Sequence, residues 1–222
     1  MKAYIIRHGE SNYKQEKAPT LADASDLTPA GIETVLDTAE DMARLINPEI
    51  KINLLSSPYA RTLETSSLIQ KVLSTKGLTL PEIQINECLG EVKNFDWTLF
   101  TELLKDRQIN PHNQSPIEYF RRDFLHNLSD EVKRSLGSEL LQKINNIENY
   151  LSCLNRFQGC LDSLEGDSVL VTHEGLTGKY IEMAAGKCNK TPYLGKGKYF
   201  VLENQGSEWK PLIVPEGAIQ YE

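Results

Sequence analysis

Nowhere in the 222 residues does an apolar run approach the ~20 that a membrane span requires. The N-terminal MKAYII enters strand-like sequence at once, without the long apolar core or small-residue cleavage site of a secretory leader. There is no lysine- or arginine-rich block, and acidic residues outnumber basic ones, 31 to 24. The net charge of -7 therefore offers no overall field for nucleic acid or an anionic membrane, and neither is expected as a partner. Cysteine is scarce: Cys88, Cys153, Cys160 and Cys188 form no CxxC pair and stand near no histidine at metal-ligand spacing. Cys153 and Cys160, seven apart in a helical stretch, read as core packing, and reduced thiols suit the cytoplasmic address expected. Any anion this protein holds must be gripped by a few placed cations.

What is present is a grammar repeated three times: an apolar strand, polar residues at its end, then a helix. KAYIIRHG is the first instance, INLLSSPYARTLETSSLIQKVL the second, and DSVLVTHEGLTGKYIEMAAG the third. In the last, Leu176, Tyr180, Met183 and Ala184 fall at helical spacing and mark a buried face. Between the first two lies LTPAGIETVLDTAEDMARLI, where Thr28 suits a helix cap, Pro29 the first turn, and Ile32, Val35, Leu36, Ala39 and Ala43 a buried stripe. GKYFVLENQGSEWKPLIV reads as two strands joined by the turn NQGSE. This pattern predicts a single α/β domain over 1–222: a three-layer sandwich with a mostly parallel central sheet and helices on both faces. A helical insertion over about 98–165 is expected to roof the crevice.

In open parallel sheets, ligands bind beyond the carboxyl ends of the strands. Arg7 and His8 end the first strand, His173 follows the third, and Arg61 opens the helix after the second. Taken singly, each reads more simply as the place where a strand meets water. Three coordinated ends do not. If the strands are neighbours, two guanidinium forks and two imidazoles converge inside an acidic protein, and a phosphoryl group is the natural guest. His8 and His173 as zinc ligands fit poorly beside two arginines. GLTGKY lacks the glycine and hydroxyl residue of a nucleotide-binding lysine loop. No metal and no cofactor are expected.

RHGES, LTPAG, SSPYARTLET and VTHEG, in that order, resemble the motifs of the histidine phosphatase (phosphoglycerate mutase-like) superfamily. The resemblance implies that His8 is a nucleophile forming a phosphohistidine. Arg7 and Arg61 would then bind the phosphoryl oxygens, and His173 would stabilise the transition state. The leaving oxygen needs a proton. The family pattern, matched by Leu89, Glu91 and Trp97 in INECLGEVKNFDW, makes Glu91 the donor, with Glu87 the second candidate. Ser11 and Ser57 are further phosphate-contact candidates. Three positions depart from the family's habit: Lys14 where asparagine is common, Phe95 where glycine is expected, and Glu174, not glycine, after His173.

The implied activity is metal-independent hydrolysis of a small phosphoester through a covalent intermediate. The alternatives are a phosphoglycerate-type mutase and a catalytically weak phospho-ligand binding module. Arg121, Arg122 and Lys105 are candidates for a second anion but read more simply as solvated helix faces, and His112 and His126 as surface or packing residues. A homodimer is compatible with the sequence.

Overall fold

A computed structural model describes residues 1–12, 26–91, 150–186, 192–206 and 208–221. The elements are β1 (Lys2–Arg7), α1 (Pro29–Leu45), β2 (Asn53–Ser56), α2 (Ala60–Thr75), β3 (Gln84–Ile85), a 3-10 turn (Glu87–Leu89), α3 (Tyr150–Asp162), β4 (Ser168–Thr172), α4 (Glu174–Ala185), β5 (Pro192–Leu194), β6 (Tyr199–Asn204), β7 (Trp209–Ile213) and β8 (Ile219–Tyr221). The central sheet has the order β3-β2-β4-β1-β6-β7. Its first four strands run parallel, and β6 and β7 close the edge antiparallel. The expected turn between Asn204 and Trp209 joins β6 to β7.

Period-2 alternation along nearly all-apolar strands sorts side chains into two cores, one per face. Tyr4 and Ile6 of β1, Leu54 of β2, Val169 and Val171 of β4, and Tyr199 and Val201 of β6 face α1 and α2, packing on Val35, Ala39, Met42, Ile69 and Leu73. The intervening residues, Ala3, Ile5, Leu55, Leu170, Phe200 and Leu202, face the other way. They meet Cys153, Phe157 and Leu161 of α3 and Leu176, Tyr180 and Ile181 of α4. This is the expected three-layer α/β sandwich. Cys153 and Cys160 pack in it as free thiols. One expectation fails: Met183 is exposed, because Ile181 takes the core position and the last turn of α4 runs out to solvent.

The strands that carry the polar ends are immediate neighbours. Register pairs Arg7 with Thr172 across β1 and β4, and Ser56 with Val171 across β2 and β4, so all three stop at one level. Thr28 caps α1, accepting the Gly31 N–H at 3.1 Å, with Pro29 in the first turn as expected. Two motif glycines bring this helix onto the loop after β1. A Cβ at Gly31 would lie 2.2 Å from the Glu10 carbonyl oxygen, and one at Gly9 would lie 2.9 Å from Val35 Cγ2. The close approach is sealed by Thr28 N–H donating to the Glu10 carbonyl at 2.9 Å. Residues 98–149 of the insertion expected over 98–165 lie outside the described residues; α3 occupies the end of that range and packs against the sheet.

Candidate active site

His8 follows β1, Arg61 is the second residue of α2, and His173 caps α4. All three are buried, with 3%, 3% and 0% of their surface exposed. The imidazole centroids of His8 and His173 lie 5.2 Å apart, edge to face. Arg61 spans them: its Nε is 3.2 Å from His8 Nε2 and its Nη2 is 3.2 Å from His173 Nδ1. Of the four side chains expected to converge from the strand ends, His8, Arg61 and His173 are thus brought together, while the terminal nitrogens of Arg7 are given to the Leu194 carbonyl and Glu174.

The bonding fixes the chemistry of His8. Its Nδ1 is 2.7 Å from the Gly9 carbonyl, which can only accept, so Nδ1 carries the hydrogen. Nε2 therefore presents its lone pair, and Arg61 Nε–H points at it. Burial, then electrostatic repulsion from the neighbouring His173 and Arg61, hold the His8 pKa well below the ordinary histidine value, against the opposing pull of the Gly9 carbonyl. A neutral ring with an oriented lone pair is the form a nucleophile requires.

The loop is tied to α2 by Thr65. Its hydroxyl accepts from Gly9 N–H at 3.1 Å and donates to the Arg61 carbonyl at 2.7 Å. His8 N–H donates to the Thr172 carbonyl, linking the end of β1 to β4.

Glu91 reaches this cluster from the other side. Its Oε2 lies 3.3 Å from His173 Nδ1 and 3.7 Å from Arg61 Nη2, with 29% of the side chain exposed at the mouth. Burial pushes its pKa up, but His173, Arg61 and His8 together outweigh that and hold it well below the usual carboxylate range. An ionised Glu91 favours the hydrogen of His173 on Nδ1, leaving Nε2 to accept from the Ser57 hydroxyl at 2.8 Å. Burial lowers the His173 pKa, opposed by Glu91 and assisted by Arg61 and Arg7.

Arg156 of α3 holds the Glu91 loop. Its Nη1 donates to the carbonyls of Cys88 at 2.6 Å and Gly90 at 3.0 Å, with the carbonyls of Glu87 and Glu91 at 3.5 and 3.4 Å. Thr172 Oγ1 adds a bond to the Leu89 carbonyl at 2.8 Å.

Of the other candidates, Glu87 is exposed on the 3-10 turn, so Glu91 is the carboxylate brought to the histidines. Ser11 is buried in the loop after β1, where its backbone bridges Leu27. Arg7 is buried, with Nη1 donating to the Leu194 carbonyl at 2.7 Å and Nη2 paired with Glu174 at 2.9 Å. Lys14, Phe95, Trp97, Lys105, His112, Arg121, Arg122, His126 and Cys188 lie outside the described residues.

Sequence reasoning missed Tyr59. Its ring stands edge-on to His173 at 5.2 Å and lies 4.9 Å beneath the Arg61 guanidinium carbon. It also missed Arg156, a lone cation on a helix with no local signal of purpose.

A model of the histidine phosphatase superfamily (branch 1) matches residues 3–122. None of the curated proteins matches the sequence. Among solved structures, a phosphoglycerate mutase from Bacillus anthracis superposes with a TM-score of 0.64 at 17% identity, over 96% of this chain and 92% of its own. Bacillus stearothermophilus YhfR gives 0.58 at 19% identity, over 99% and 98%. A mycobacterial glucosyl-3-phosphoglycerate phosphatase solved with VO3 gives 0.53 at 14%, over 96% and 97%. At these identities the likeness is one of fold. No helix among the described residues is long and apolar enough to cross a membrane.

Proposed function

Because this chain belongs to the histidine phosphatase superfamily, we propose that it is a phosphomonoesterase that works through a phosphohistidine at His8. The observation that carries the reading is the bonding of His8: Nδ1 engaged by the Gly9 carbonyl, Nε2 free of hydrogen and facing Arg61.

A phosphoryl group seated between Arg61 and His173 meets His8 Nε2 in line with its leaving oxygen. The N–P bond forms as the P–O bond breaks, and Glu91 passes its proton to the departing alkoxide. In the second half Glu91, now a carboxylate, takes a proton from water. The hydroxide attacks phosphorus, the N–P bond breaks, and phosphate leaves with His8 neutral again. The unliganded carboxylate is ionised, so its proton arrives with the substrate. A monoanionic ester gives up its proton to Glu91 and becomes the dianion. That dianion offsets the cations that held the carboxyl's pKa down. Arg61 and His173 stabilise charge on the phosphoryl oxygens throughout, and Ser57 and Tyr59 hold the His173 ring in place.

The test is phosphate release from p-nitrophenyl phosphate and from a panel of alkyl phosphates, with trapping of acid-labile phosphate on the protein. His8→Ala is expected to abolish both. Undiminished turnover in that variant would overturn the proposal. Isomerisation of phosphoglycerate dependent on a bisphosphate primer would move the assignment to a mutase. A binding module is the second reading, favoured by the carboxylate of Glu174 against Arg7. It predicts phosphate binding with no ester cleaved.

A further inference from the structure

Glu174 stands where the resembling motif has glycine, directly after His173 and at the first position of α4. Its carboxylate meets Arg7 Nη2 at 2.9 Å, and the two side chains are only 10% and 7% exposed. Arg7 Nη1 is already given to the Leu194 carbonyl, while its buried Nε has no partner. Both terminal nitrogens of the fork are thus engaged by the protein itself, one of them by a carboxylate oxygen. Chemically, that oxygen does what an oxygen of a bound phosphoryl group would do.

Behind this pair opens a cavity of about 400 Å³, lined by Arg7, Glu10, Thr34, Glu174, Tyr193 and Lys196. Arg7 and Glu174 line it, and the charge of Arg7 is close enough to act on both the His8 and the His173 rings. The cavity also holds an ammonium group toward which the carboxylate can turn: Lys196, one-third exposed, whose Nζ lies 4.0 Å from Glu10 Oε1.

We propose that Glu174 is a specificity-determining residue, a resident competitor that occupies the fork of Arg7 and swings toward Lys196 when a phosphoryl group binds. The inference rests on the reading of His8, Arg61 and His173 as a phosphoryl site. Its consequence is selection by charge. An oxyanion that stays singly charged, with no proton to give up, would replace one carboxylate with its equal and gain little. A doubly charged phosphoryl group gains the second charge. Product phosphate leaves readily, because the displaced carboxylate returns to Arg7.

Calorimetric titration with inorganic phosphate and with methyl sulfate, a monoanion of similar shape, tests this without reliance on turnover. Glu174→Gln is expected to bind phosphate at least ~10-fold more tightly than wild type, since two negative charges no longer compete for one fork. It is also expected to bind methyl sulfate, which the wild type is expected to exclude. Lys196→Met should weaken phosphate binding severalfold in the wild-type background and have no effect in Glu174→Gln, because its role runs through the carboxylate. Unchanged or weaker phosphate binding in Glu174→Gln would overturn the inference and make Glu174 a structural prop for Arg7. So would equal methyl sulfate binding, or a Lys196 effect that persists in the double variant. If Glu174→Gln fails to fold, a vanadate-bound crystal of the wild type decides: the Arg7–Glu174 pair should be parted beyond 4 Å, and an intact pair sinks the idea. Failure of the phosphoryl-site reading looks different. Neither phosphate nor vanadate would then bind any variant, and both claims fall together.

Discussion

Replacing Arg156 by methionine should slow ester cleavage without touching the place where phosphate binds. The methionine keeps most of the apolar stem and removes the guanidinium that grips the loop carrying Glu91. Two of its contacts with that loop have good hydrogen-bond distances, 2.6 Å to the Cys88 carbonyl and 3.0 Å to the Gly90 carbonyl. Two others, at 3.4 and 3.5 Å, are marginal. Two charge-assisted bonds at about 1.5 kcal/mol each favour the present loop position by about 3 kcal/mol. That corresponds to ~100-fold in occupancy of the placed acid. The loss should appear only where the leaving oxygen needs a proton. For alkyl phosphates kcat/KM, which reports the phosphorylation of His8, should fall 10- to 100-fold, an order of magnitude taken from that occupancy. For p-nitrophenyl phosphate, whose phenolate leaves unprotonated, the fall should stay within ~3-fold, because the donor contributes little to that step. Phosphate affinity should be unchanged, and Arg156→Lys should restore part of the alkyl phosphate rate. Equal losses on both esters would refute the reasoning, since Arg156 would then be supporting the fold at large.

Glu91→Gln should show the same split between esters more sharply, while Glu87→Gln, on the exposed 3-10 turn, changes kcat/KM less than ~2-fold, as a group remote from the transferred proton should. Acid sensitivity should begin early. His8 and His173 have folded pKa values below the unfolded ~6.5, so the unfolded chain binds more protons once the pH drops beneath that value. Urea midpoints should therefore decline from about pH 6.5, at up to about 1.4 kcal/mol per pH unit for each ring, with Glu91 adding its loss only below about 4.3. His8→Asn should flatten that limb; an unaltered slope would mean the ring is not held neutral. Gly31→Ala, whose Cβ would meet the Glu10 carbonyl oxygen at 2.2 Å, should cost about 3 kcal/mol in chemical denaturation. A loss below ~0.5 kcal/mol, the scale of an ordinary surface substitution, would show that the loop after β1 yields freely.

The sheet was legible because its strands are apolar on both faces and each breaks off at polar residues, which marks a parallel strand covered on both sides. Arg61, His8 and His173 were legible for the same reason: strand ends say which residues share an edge. Met183 was misjudged because helical spacing alone does not tell where a helix outruns the sheet beneath it. Tyr59 carried no signal, since its role depends on how two loops cross. The partner of Glu174 was also invisible. A carboxylate after His173 could face water or a cation, and only the packing of β5 beside Arg7 decides.

The two cores have a mechanical consequence. His8, the proposed nucleophile, and Arg61 are fastened to α2, on one layer, through Thr65. Glu91, the proposed proton donor, is fastened to α3, on the opposite layer, through Arg156. On that reading, bond making and proton delivery are mounted on separate layers that meet at the sheet's rim. A lineage could remodel the donor side for new alcohols while the phosphorylating side stays untouched.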